Sequence, residues 1–313
     1  MKKKLALILA GVMMLATLTA CGGKKITLAT GGTSGTYYAV GGAMQSVLNS
    51  KLTQSKLNVT STGASAANVD LINTGDAKLA ILQSDVIYYA HKGINNFAEK
   101  GVIDNALWVA GLYNETVQII ASKDITDVSQ LKGKTVCVGD VGSGTVVNAQ
   151  QVLAAYGLTF DDITVTYGSF QVAAESIKDG KVDAAFTVAG APTTAITELA
   201  TATEFNMLSL TDAALANINK DYPFLIQDNL PAGTYKGIDQ ETKCVAVQAA
   251  LVASKDMSED AVYELLKAMF DNKDALVTGH GKFQFLDAAV ACEGTVPLHP
   301  GAEKYYKEIG VIS

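Results

Sequence analysis

Short β-branched and apolar runs alternate with stretches of helical spacing along most of the chain. Lys25–Thr30 predicts a strand, Gly31–Thr36 a loop and Tyr37–Leu52 a helix. Leu57–Thr62 predicts a strand, Ala64–Asn73 a helix, Leu79–Gln83 a strand and Val86–Lys92 a helix. Strand, small-residue loop, then helix is the grammar of a parallel sheet. Trp108–Asn114 leads into a strand at Val117–Ala121, and Asp124–Lys134 reads as a polar connector with a short helix. A second series follows. Its strands are Thr135–Gly139, Ile163–Tyr167, Val182–Val188 and Phe205–Leu210, and its helices are Val146–Tyr156, Gln171–Asp179 and a stretch ending near Ala202. Lys220–Glu241 is irregular and reads as a return path to a strand at Val245–Ala253. Glu259–Asn272 is the clearest helix. Val262, Leu265, Leu266, Met269 and Phe270 share one apolar face, and Ser258 stands in the capping position.

The C-terminal helices have too few strands of their own to build a sheet. The pattern therefore predicts an α/β chain of two lobes, each a central sheet flanked by helices. Lobe 1 is discontinuous, residues 26–121 plus 244–313, and lobe 2 is 122–243. Segments near Ile119 and Val247 cross between them as a hinge, with a ligand cleft between the lobes.

The N-terminus changes the compartment. Lys2, Lys3 and Lys4 precede an apolar run from Leu5 to Leu18, then Leu18-Thr19-Ala20-Cys21. A basic start, a short apolar core and small residues before a cut describe a secretory signal peptide. The run is shorter than the ~20 residues of a comfortable membrane span. Leu18–Cys21 also resembles the bacterial lipobox, which implies that residues 1–20 are a lipoprotein signal peptide, Cys21 the acylated residue and 21–25 a tether, and predicts an extracytoplasmic protein held to the membrane by its lipid.

The formal net charge is −7, and removal of the leader lysines makes the remainder more acidic still. That balance argues against nucleic acid as a partner. Every cation is a lysine; the chain has no arginine, so an anionic ligand must be held without a guanidinium fork. Beyond Cys21 the cysteines are Cys137, Cys244 and Cys292, too few for a disulfide framework, and the first two sit in strand-like segments as small hydrophobes.

In open parallel sheets ligands sit beyond the carboxyl ends of the strands, where helix starts offer unpaired N–H groups. The loops at those positions are small and polar: Gly32, Thr33, Ser34 and Thr36; Ser61 and Thr62; Gln83, Ser84 and Asp85; Ser143, Gly144 and Thr145; Ala191 and Pro192. Each loop alone also reads as a turn or cap; five on one rim predict a binding site for a carboxylate. Asp85 and Glu115 are candidates for a ligand ammonium, or else a cap and an exposed acid. Catalytic motifs fail. Val141 and Thr145 flank Gly142-Ser143-Gly144 where a nucleophile elbow needs glycine, and no lysine follows the glycine loops as a phosphate loop requires. His91, His280 and His299 lack metal-ligand spacing, and His299 reads as fixing a turn beside Pro297 and Pro300. Neither cofactor nor metal is expected.

In these loops the chain resembles the TAXI subgroup of solute receptors for TRAP transporters. The motifs are Thr30-Gly31-Gly32-Thr33-Ser34-Gly35-Thr36-Tyr37-Tyr38, Ser61-Thr62-Gly63-Ala64-Ser65, Gln83-Ser84-Asp85, Leu112-Tyr113-Asn114-Glu115, Gly142-Ser143-Gly144-Thr145 and Pro297-Leu298-His299-Pro300-Gly301. The resemblance implies a periplasmic-binding-protein-like fold of the two-crossover type II, TRAP permease subunits in the membrane as partners, and a ligand of the glutamate, glutamine or 2-oxoglutarate kind. The lipobox departs from the free periplasmic form. A ligand-sensing or adhesive lipoprotein, or an enzyme on the same scaffold, are the other functions such a chain can serve.

Overall fold

The computed structural model describes residues 24–313. The expected signal peptide and Cys21 lie outside the described residues. Lys24 and Lys25, expected in the tether, already belong to the first strand.

The first half is built from β1 (Lys24–Ala29), α1 (Thr36–Leu48), β2 (Ser55–Thr60), α2 (Ser65–Thr74), β3 (Leu79–Gln83) and α3 (Ser84–Lys92). The long strand β4 (Ala106–Ala121) leaves it. The second half holds β5 (Thr135–Cys137), α4 (Gly144–Ala155), β6 (Thr164–Thr166), α5 (Phe170–Lys178), β7 (Ala184–Ala189), α6 (Thr194–Ala202), β8 (Asn206–Met207), α7 (Asp212–Asp221) and β9 (Ile226–Gln227). The strand β10 (Val245–Ser254) returns, followed by α8 (Glu259–Asp271), α9 (Lys273–Gly279), α10 (Ala288–Ala291) and α11 (Pro300–Glu308).

The strands order as β2-β1-β3-β10-β4-β7-β5-β6, with β8 beside β4 and β9 beside β10. β1 pairs parallel with β2 and β3, and β5 parallel with β6 and β7. β4 and β10 run antiparallel to each other from Ala106↔Ser254 to Thr116↔Ala246. Two separate sheets were expected; the sheet is continuous. The reason is that β10 pairs with β3 while β4 pairs with β7, so the two crossing strands belong to both halves.

Helices cover both faces of the sheet, which is why β3 and β7 are buried at every position. The first half packs Leu28, Met44, Leu251, Leu266 and Tyr306 on one face and Leu82, Val86, Trp108 and Val252 on the other. The second packs Val136, Leu153, Phe186 and Val247 on one face and Ile120, Ala185 and Ile196 on the other. Each such large side chain contributes about 1.5–3 kcal/mol on leaving water.

Three elements depart from the sequence reading. β4 is one strand of 16 residues, although Gly111 and Asn114 read as breaks. Gly111 suits it because the amide of Gln248 lies over that position: a Cβ there would meet its Nε2 at 2.3 Å. α7 falls mostly in residues 211–219, to which the sequence pattern assigned no element. Thr211 caps it by accepting from the Ala214 N–H at 3.2 Å, and only Ala214, Leu215 and Ile218 form its buried face. α1 stops at Leu48, four residues earlier than expected. The α8 reading matches the structure, with the Ser258 hydroxyl accepting from the Ala261 N–H at 3.3 Å.

Candidate ligand-binding cleft

Four helix starts converge on one cavity between the halves. Gly35, Thr36 and Tyr37 open α1, Ala64 and Ser65 open α2, Ser143, Gly144 and Thr145 open α4, and Ser169 and Phe170 open α5; all line it. Its floor is Gln83 and Glu115 from the first half and Val188 and Ala189 from the second. The cavity leaves about 40 Å³ for water centres, against the roughly 10–15 Å³ that one water needs.

The helix starts are not equally satisfied. α5 is capped by Ser169, whose hydroxyl accepts from the Val172 N–H at 3.3 Å. α2 is capped from the opposite half: the Gly142 carbonyl accepts from the N–H groups of Ala66 and Ala67 at 3.0 and 3.3 Å. α1 and α4 have no side-chain cap. Their free N–H groups and positive dipole ends meet in the cavity, an arrangement that attracts an anion.

Four buried polar atoms around this space have no hydrogen-bond partner among the described residues: Tyr37 Oη, Gln83 Oε1, Glu115 Oε1 and Ser143 Oγ. A buried polar atom left unpaired costs about 1–3 kcal/mol, so four around one cavity mark a place built for a polar guest. Glu115 is only 1% exposed. Burial first, and then the charge of Asp85, push its carboxyl well above the usual range, while Tyr37, Gln83 and, least, Lys282 pull the other way. Burial also raises the Tyr37 phenol, and the Glu115 charge adds to it.

The halves are in contact across the cleft. Thr36 Oγ1 donates to the Gly190 carbonyl at 3.1 Å. Gln83 Nε2 donates to Asn148 Oδ1 at 2.9 Å, Asn148 Nδ2 to Asp85 Oδ2 at 3.0 Å, and Gln151 Nε2 to the Tyr89 hydroxyl at 3.0 Å. Val147 of α4 packs into the apolar cluster of the first half. The close approach depends on Gly144, where an added Cβ would stand 1.4 Å from Gln83 Oε1.

Of the residues expected from sequence, Gly32, Ser34, Thr36, Gln83, Glu115, Ser143, Gly144 and Thr145 line the cavity. The others do not. Thr33 is exposed. Ser61 donates to the Gly31 carbonyl at 2.9 Å and Thr62 to Asn68 Oδ1 at 2.6 Å, so both hydroxyls are spent on the β1–β2 rim. The Ser84 carbonyl is held by Thr295 Oγ1 at 2.7 Å. Asp85, expected on the rim, is fully buried between α3 and α4, and burial raises its carboxyl to about 6. Ala191 and Pro192 line a neighbouring cavity of about 430 Å³. His299 is buried and fixes the turn into α11, its Nδ1 accepting from the Gly301 N–H at 3.2 Å. Sequence reasoning missed Tyr37, Ser65, Ser169 and Phe170. The first two follow glycine loops at helix starts, a signal that was available; Ser169 and Phe170 lie beyond a strand of only three residues, which carries little pattern.

Among the described residues no helix is long and apolar enough to cross a membrane. The sequence profile of the NMT1-like family matches residues 28–310. A solved structure titled a periplasmic transporter superposes with a TM-score of 0.55 at 14% identity, covering 91% of this chain and 92% of its own. PhnD1 of Prochlorococcus marinus, in complex with methylphosphonate, gives 0.54 at 13% identity over 92% and 99% of the two chains. The alkanesulfonate-binding protein SsuA of Xanthomonas axonopodis pv. citri, bound to MOPS, gives 0.50 at 15% over 92% and 85%. At these identities the likeness is one of fold, that of periplasmic binding proteins.

Proposed function

The chain belongs to the NMT1-like family, and from that premise we propose that it is an extracytoplasmic solute-binding protein whose lobes, 26–121 with 244–313 and 122–243, close on a small organic acid or amino acid and deliver it to a membrane transporter. The observation that carries this reading is the cavity ringed by two uncapped helix starts and four unpartnered buried polar atoms. Helix N–H groups and the hydroxyls of Ser34, Ser143 and Thr145 suit a carboxylate where no guanidinium exists. Glu115 suits an ammonium, or, protonated, donates to a carbonyl. The ligand is therefore of the glutamate, glutamine or 2-oxoglutarate kind.

A second reading takes its ligand from PhnD1 and SsuA: a phosphonate or sulfonate, delivered to an ABC importer. Glu115 weighs against it. An ionised Glu115 repels either anion, and neither methylphosphonate nor methanesulfonate carries an ammonium to answer it. The motifs shared with TAXI receptors favour a TRAP permease driven by an ion gradient. The leader and Cys21 support a lipid anchor on the outer face of the membrane.

Calorimetry separates the two ligand classes. Glutamate, glutamine or 2-oxoglutarate should bind and raise the melting temperature. Binding of methylphosphonate or methanesulfonate alone would replace this reading with the second. In cells, uptake of the bound solute should stop when the ion gradient is collapsed and when the chain is deleted. Cys21→Ser should move the protein from the membrane fraction to the soluble one.

A further inference from the structure

The neighbouring cavity contains a cation, which the cleft itself lacks. Lys282 sits in the short turn Gly281–Phe285 that follows α9, half-buried, and lines this space with Tyr113, Asn114, Thr116, Asp228 and Gln248. Its Nζ stands 6.0 Å from the Tyr113 ring centre and 5.4 Å from that of Phe285. It makes no ion pair among the described residues, whereas the exposed pairs of this protein are typified by Lys100 with Asp70 at 2.6 Å.

Lys282 stands one residue away from the cleft, behind Thr36 and Gly190. A Cβ on Gly190 would lie 2.6 Å from Lys282 Cε, 3.1 Å from Thr36 Cγ2 and 3.2 Å from Tyr113 Cε2. Thr36 lines the cleft, Tyr113 lines the second cavity, and all three side chains meet on that one glycine. Tyr113 and Glu115 are two positions apart on β4, and the Tyr113 hydroxyl is another buried polar atom with no partner. The charged and titratable groups facing Lys282 are Glu115 on β4, Asp228 beyond β9 and His280 in its own turn. Asp228 is already engaged by Thr116 Oγ1 at 2.7 Å. Burial lowers the Lys282 ammonium, and the charges of Asp228 and Glu115 partly offset that.

We propose that Lys282 is the specificity-determining charge of the cleft, and that the cavity it lines receives the side chain of the bound ligand. The inference rests on the solute-binding reading and deepens it. The helix starts take one carboxylate and Glu115 takes an ammonium. A half-buried ammonium with no ion partner then selects the third group. In a low-dielectric site an unpaired lysine favours an acid over the amide of the same shape, because the amide leaves the charge unanswered.

Glutamate and glutamine differ at that one group and are otherwise nearly isosteric. Calorimetric titration of the full chain with each gives a preference ratio. The wild type should prefer glutamate, Lys282→Met should lower the ratio by about tenfold or more, and Lys282→Arg should keep most of it. A purely structural role would weaken both ligands alike and leave the ratio unchanged, which would overturn the proposal. Should K282M not fold, Lys282→Gln reads the same ratio. If the wild type binds neither amino acid, the solute reading on which this rests has failed first; if it binds both and K282M leaves the ratio intact, only the role of Lys282 has.

Discussion

Glu115 and Asp85 are both fully buried carboxyls, yet the structure gives them different work. Glu115 faces the cavity with an unpaired oxygen. Glu115→Gln keeps the shape and removes the capacity to ionise. It should raise the melting temperature while weakening an ammonium-bearing ligand about tenfold or more, since a site that keeps a buried ionisable group for its guest sacrifices stability for binding. Asp85 instead accepts from Asn148 Nδ2 and the Val86 N–H, inside the seam between α3 and α4. Its carboxyl moves from 3.8 to about 6 on folding. The native state then holds the proton more tightly than the unfolded chain, so this group's contribution to stability is present below about pH 4 and is lost as pH rises through 6. The loss amounts to about 3 kcal/mol. Denaturant titrations at pH 4 and pH 7 should show Asp85→Asn flattening that fall relative to the wild type; an equal slope in both proteins would remove Asp85 from the account. The two acids were legible as candidates because the sequence predicted loops there. Their burial was not, because Asp85 is covered by α4 from the other half of the chain and Glu115 lies within β4 beside β10.

At the level of elements, the start of α4 decides whether the cleft closes. Gly144 lies against Gln83 with no room for a methyl group. Gly144→Ala should weaken ligand binding by at least about tenfold. Adding Gln83→Ala to it should restore part of the loss, a coupling that additive effects cannot produce. The strand–loop–helix units around this contact were readable from periodicity, as the uninterrupted apolar run of β3 and the one-sided face of α8 illustrate. What escaped were elements whose boundaries are set by distant partners. β4 is continuous only because β10 accompanies it across Gly111. α7 has a buried face of three side chains, too narrow for the spacing to register. Ala191 and Pro192 read as one more loop on the binding rim, but the register of β4 against β7 brings them to the adjoining cavity.

For the whole molecule, closure should be visible as compaction. X-ray scattering in solution should give a smaller radius of gyration with a bound ligand than without, and G144A should stay at the larger value. An unchanged radius would mean that the lobes do not part to admit the ligand. The two-lobe architecture was legible because only a returning strand at Val245 could complete the first sheet; the continuity of that sheet was not, since pairing across 130 residues leaves no local trace.

That continuity governs how the molecule can move. β4 and β10 lie side by side through the first half up to its boundary with the second, joined by a ladder from Ala106↔Ser254 to Thr116↔Ala246 that is interrupted by two bulges. Adjacent strands flex readily out of plane but resist shear, because sliding by one residue would break every rung at once. The two rims can therefore approach along a single arc, as the covers of a book turn about its spine, and each turn brings the same residues face to face. Under the proposed function, recognition would need no search over relative positions of the lobes: the spine has already chosen which groups meet, and a solute would only decide whether the covers stay shut.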